Sequence, residues 1–115
     1  MEFAVSRQGT TLVTLHGGSD TTAREDAVAQ LEETFESLAA EGPLVDWAIE
    51  DATVREHPTA PFDPYTIAVA FDVVVTVEAA DAEEAGERGA EAIDAALSEA
   101  GVESVTYRSS PTASA

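Results

Sequence analysis

At 115 residues, with 23 Asp and Glu against five Arg and no Lys, the chain carries a formal net charge of −18. That length suffices for a single hydrophobic core, and with no Cys the chain has neither disulfide staples nor thiolate metal sites. Without a basic patch to release counterions, or a run near the roughly 18 apolar residues of a membrane span, neither nucleic acid nor membrane is an expected partner.

Residues 2–16 read as β structure with an interruption. Phe3 and Val5 alternate with Ala4 and Ser6, Gln8-Gly9 is a turn or bulge signal, and Thr11, Val13 and Leu15 then alternate with Leu12 and Thr14. Either a short hairpin or one strand bent at Gly9 satisfies this pattern. A loop, His16-Gly17-Gly18-Ser19, leads to a helix whose start is expected at Thr22, because Thr22-Ala23-Arg24-Glu25 matches a capping box. Val28, Leu31, Phe35 and Leu38 form its apolar stripe, and Gly42-Pro43 ends it, with Gly42 expected in the left-handed conformation.

Residues 44–57 predict a second strand. Val45, Trp47 and Ile49 share one face, then Ala52 and Val54 take over in the other phase, which indicates a bulge near Asp51. A loop with three prolines, His57 to Pro64, leads into the longest strand, Tyr65 to Val77. Its odd positions, from Tyr65 and Ile67 through Phe71 to Val77, are an unbroken apolar row, while its even positions are small or polar. A second helix opens at the capping box Asp81-Ala82-Glu83-Glu84 and turns Ala85, Gly89, Ala92, Ile93, Ala96 and Leu97 inward. Gly86 and Gly89 are expected to permit close approach to the sheet. Gly101 closes this helix, Val102 to Arg108 is a last strand, and residues 109–115 are expected to be a flexible tail.

Strung together, these elements form a single α+β domain over residues 1–108. The order is the ferredoxin-like split βαβ (βαββαβ) with an extra N-terminal β segment, an antiparallel sheet with two helices on one face. The acidic, Lys-free, Ala- and Val-rich composition resembles that of proteins from haloarchaea and their viruses. Self-repulsion at this charge opposes a compact state in dilute buffer and is mostly screened near 1 M salt, where the Debye length is about 3 Å. The resemblance implies a high-salt cytoplasm, or a virion if the chain is viral.

Chemistry-bearing residues are few. His16 and His57 end successive strands, and a metal site would need them to converge with a carboxylate. Gly17, Gly18 and Ser19 precede a helix N-terminus with Arg24 one turn in, an arrangement able to hold an anion. In topology alone this loop resembles the effector loop of ACT-type regulatory domains. Arg7, Arg55, Arg88 and Arg108 are scarce cations expected to pair with neighbouring carboxylates. No catalytic constellation, metal set or cofactor motif is expected.

The even face of the long strand, Ala68, Ala70, Asp72, Val74 and Thr76, is unusually small and poor in charge for so acidic a chain, and depletion of charge marks interface cores. Trp47, Phe62 and Tyr65 are the anchors expected at its rim. The expected function is therefore a non-enzymatic module that self-associates or docks into a larger protein assembly through its open sheet face or edge. The alternative is a small-ligand regulatory domain using the Gly17-Gly18 loop.

Overall fold

In the computed structural model, which describes residues 1–16, 18–60, 63–102 and 104–115, the elements run β1 (Glu2–Leu15), α1 (Asp20–Glu41), β2 (Leu44–Glu56), β3 (Tyr65–Glu78), α2 (Ala82–Glu99), β4 (Thr106–Tyr107) and β5 (Thr112–Ser114). The strands form an antiparallel sheet in the order β2-β3-β1-β4, with β5 also on β1. This is the ferredoxin-like order with one extra strand. The molecule is elongated, 55 × 25 × 20 Å, because β1 and β3 pair along their whole lengths, Glu2 with Glu78 through Leu15 with Tyr65.

β1 is one strand, paired with β3 without a register shift at Gly9, so of the two alternatives the single strand holds and the hairpin does not. Gly9 serves close packing instead of a turn: a Cβ there would stand 2.9 Å from Phe71 Cζ and 3.4 Å from the Tyr107 ring. The strand beyond the usual four comes at the C-terminal end as β5, not ahead of β1. Thr112–Ser114 pairs with Ala4–Ser6 and lays Ala113 against the core, so this part of the expected tail is a strand.

Directly opposed residues in an antiparallel pair share a face, so the register extends the odd row of β3 into its neighbours. Ile67, Val69, Phe71, Val73 and Val75 are buried beside Phe3 and Val5 of β1 and Leu44 of β2. The helices cover this side, α1 over β2 and β3 and α2 over β1 and β3. β2 has the irregularity expected near Asp51, between Ile49 and Asp51, and two more, Leu44/Asp46 and Val54/Glu56. The first of these turns Leu44 inward and leaves Val45 57% exposed, reversing the expected order.

Local chemistry also moves some helix boundaries. The N-cap of α1 lies three residues before the expected Thr22: it is Ser19, whose Oγ accepts the Thr22 N–H at 3.2 Å. Ala23 and Ala27 join Leu31 and Phe35 in its buried stripe, with Val28 on the flank. Gly42 ends the helix in an extended conformation, φ −119°, not a left-handed one. The left-handed position is at Gly101, φ +83°, after α2. Asp81 caps α2 as expected, accepting the Glu84 N–H at 2.8 Å. Of the two glycines expected to bring α2 close, only Gly89 does so, since a Cβ there would fall inside the Val5 side chain. At Gly86 the nearest atom would be Pro111 Cγ at 3.9 Å. The last strand is shorter than the expected 102–108, because Ser104 takes φ +55° and breaks the extended run before Thr106.

Candidate functional site: the open face of the sheet

With both helices on one side, the other face of the sheet presents the even rows of β1 and β3 and the matching positions of β2. The five even positions expected to form an interface are brought together here. Ala68 is 7% exposed between Leu12 of β1 and Thr53 of β2, while Ala70, Asp72 and Val74 are half-buried and Thr76 is exposed. Small side chains and close cross-strand neighbours bury this row without a second layer above it.

A polar strap crosses the middle of the face. Gln8 Nε2 donates to Glu50 Oε1 at 3.3 Å, Arg108 Nη1 meets Glu50 Oε2 at 3.6 Å, and the Arg108 N–H donates to the Gln8 carbonyl at 2.9 Å. Asp72 lies between Gln8 and Ala48 in register, and its Oδ1 is buried with no partner among the described residues. Burial first, and then the charges of Glu50 and Asp46, push the Asp72 carboxyl above its ordinary pKa, with the Val73 amide offsetting part of the rise. The strap divides the face: toward the start of β3, Thr10, Leu12, Thr14, Ala68 and Ala70 form an uncharged patch in which Leu12 is 42% exposed.

The expected rim anchors are elsewhere. Trp47 sits on the helix side, its ring 5.7 Å from Phe35, because the first irregularity of β2 places it opposite Val73. Tyr65 also follows the helix-facing row and stacks edge-on to His57, with ring centroids 6.2 Å apart. Partial burial, and then the charge and hydrogen bond of Asp20, raise the Tyr65 phenol above its ordinary pKa. Phe62 and Gly17 lie outside the described residues.

His57 Nε2 is 3.0 Å from Asp20 Oδ2, so it meets the first residue of α1 and not a metal-binding set. Among the described residues no three His, Cys, Asp or Glu side chains are grouped to hold a metal. At the Gly18-Ser19 loop, Gly18 and Arg24 are exposed, Ser19 satisfies the Thr22 amide, and Asp20 places a carboxylate at the positive end of the helix. That charge works against an anion in the same place.

The arginines divide in use. Arg88 pairs with Glu84 at 3.0 Å, and Arg108 with Glu50. Arg7 belongs to the helix-facing row and lays its guanidinium 3.7 Å from the centroid of the Tyr107 ring. The Tyr107 hydroxyl donates to Asp94 Oδ1 at 3.1 Å, and burial followed by the Asp94 charge pushes its pKa up to about 12. Sequence reading named Gln8 and Leu12 only for their place in the first strand, and Glu50 not at all. Leu12 was open to discovery, as an apolar residue in the solvent phase of an alternating strand.

Compared with protein-family models, curated proteins and solved structures, the chain matches none. No helix among the described residues is long and apolar enough to cross a membrane.

Proposed function

We propose that the chain is a non-enzymatic assembly module that docks a neighbouring protein subunit on its open sheet face, in a high-salt setting such as a haloarchaeal cytoplasm or virion. The observation that carries this reading is the face itself. In a chain of net charge −18, the β3 row from Thr66 to Thr76 holds a single ionisable side chain, Asp72, amid alanines, valine and threonines. The two 14-residue strands β1 and β3, rising about 3.4 Å per residue and lying about 4.8 Å apart, give roughly 450 Å² of this face, a little over half of the ~800 Å² per partner of a stable interface. Over β1 and β3 the low density of charge lowers the desolvation cost of covering the face, while β2 contributes Asp46, Glu50, Asp51 and Glu56 at its margin.

Sedimentation in about 3 M KCl, where the Debye length is below about 3 Å, tests this reading. Wild type is expected to associate, and Val74→Glu, which adds a second charge to the row beside Asp72, is expected to weaken face-mediated association at least tenfold. A wild-type monomer at millimolar concentration, or association indifferent to Val74→Glu, overturns the proposal.

A further inference from the structure

The edge of β1 is only partly used. β5 covers Ala4–Ser6 and β4 covers Gly9–Thr10. From Leu12 to Leu15 no strand lies alongside this edge among the described residues, because β4 is two residues long. An edge strand offers backbone N–H and C=O groups to any extended chain that arrives, and proteins blunt such edges with charge, bulges or brevity. β2, the opposite edge, is blunted in this way, with three irregularities and Asp46, Glu50, Asp51, Arg55 and Glu56 along 13 residues. The free part of β1 has no such protection: it is regular, contains no charged residue, and is β-prone throughout, Leu12-Val13-Thr14-Leu15. An open cleft of about 570 Å³ lies beside it, lined by apolar residues such as Val13, Leu31 and Val102 together with Gln30, Thr34 and the single carboxylate Glu56.

We propose that this edge pairs with the same edge of a second copy, antiparallel about a two-fold axis at Thr14. The inference deepens the assembly reading by naming a partner, and rests on that reading. A two-fold axis perpendicular to the sheet makes the strands antiparallel and keeps the helices of both copies on one side. Opposed residues must then share a face, so Thr14 meets Thr14 and Val13 meets Leu15. Read antiparallel, the edge is complementary to itself, and charge permits a second copy here. Two chains of −18 repel almost anywhere they touch, and β2 against β2 would oppose acids to acids, whereas this stretch brings no carboxylate of its own into the pairing. It also adjoins the uncharged patch that β1 and β3 form on the open face, so pairing joins two such patches into one continuous surface for the docked neighbour.

The test uses the full chain in about 3 M KCl, with salt chosen to screen repulsion. Thr14 is exposed and the chain has no native Cys. Thr14→Cys is therefore expected to cross-link to itself under mild oxidation, since opposed Cα atoms about 4.5–5.5 Å apart suit a disulfide. Thr14→Glu, setting two carboxylates face to face, is expected to weaken the dimer at least tenfold, and an equimolar mixture with Thr14→Arg to restore it. Association lost in Val74→Glu but unchanged in Thr14→Glu, with no cross-link at Thr14→Cys, overturns the edge pairing and leaves face docking standing. A dimer that survives Val74→Glu, cross-links through Thr14→Cys and fails in Thr14→Glu supports the edge and overturns the face. A wild-type monomer overturns both.

Discussion

The two flanks of the sheet are built by different means. On the β2 flank the helix stands off on aromatic rings: Phe35 of α1 meets Trp47 at 5.7 Å and Phe71 at 5.3 Å, and the strand below is irregular and lined with acids. On the β1 flank the helix comes down on a glycine, Gly89 against Val5, and the strand below is regular and patched by two short strands. At the bulges of the β2 flank, the Asp46 and Asp51 carboxylates accept the N–H groups of Trp47 and Ala52 at 2.9 Å each, so charge and irregularity serve the same residues. Irregular backbone and acidic side chains lie along the edge that no other strand covers among the described residues. The edge roofed by its own chain does without them, and is unprotected where that roof stops.

Removing the aromatic prop should produce the largest effect. Phe35 is fully buried, and Phe35→Ala is expected to cost about 3–5 kcal/mol by loss of transfer energy and by cavity formation. Denaturant unfolding in high salt measures it, with early loss of near-ultraviolet signal from Trp47. A cost below about 1 kcal/mol would mean that α1 is not held by its ring contacts.

On the other flank the expected cost is smaller and depends on position. Gly89→Ala forces a methyl group into Val5 and should destabilise by about 1–3 kcal/mol. Gly86→Ala, three residues away, meets only Pro111 at 3.9 Å and should be neutral or stabilise by up to about 1 kcal/mol through helix propensity. Equal effects at the two glycines would erase the distinction drawn between the flanks.

What the sequence reveals in advance follows from the range of the interaction concerned. The buried row of β3 and the Asp81 cap depend on neighbours two or three residues away, and both are legible. The bulge near Asp51 is legible too, because a change of apolar phase records it. Ser19 was missed because Thr22-Ala23-Arg24-Glu25 satisfies the same local pattern three residues later. The inward turn of Leu44 and the placement of Trp47 depend on register against β3, which no local spacing encodes. The strap over the open face joins Gln8 to Glu50 across 42 residues, so the surroundings of Asp72 appear only once the sheet is assembled. The β3 row was therefore readable as small and poor in charge, and its carboxylate as present, but not as buried beside Glu50 with its pKa raised.

The smallest effect tests that carboxylate. Asp72 has a folded-state pKa raised above its ordinary 3.8, mainly by burial and then by Glu50, so between these two values the folded chain binds more protons than the unfolded one. The stability this group contributes is therefore full below pH 3.8 and is lost as pH rises through the folded value; at neutral pH the ionised form opposes folding. Asp72→Asn keeps the shape and removes the charge. It should raise the melting temperature at pH 7 by a few degrees, on the order of ΔΔG below about 1 kcal/mol for a domain of this size. The advantage should shrink as pH falls and vanish below 3.8, where both side chains are neutral. Thermal melts of the pair from pH 3 to 8 in constant high salt measure the difference directly. A gain independent of pH would trace to the amide's hydrogen bonds, and a loss at neutral pH would mean that Arg108, already shared with Glu50, also stabilises the ionised Asp72.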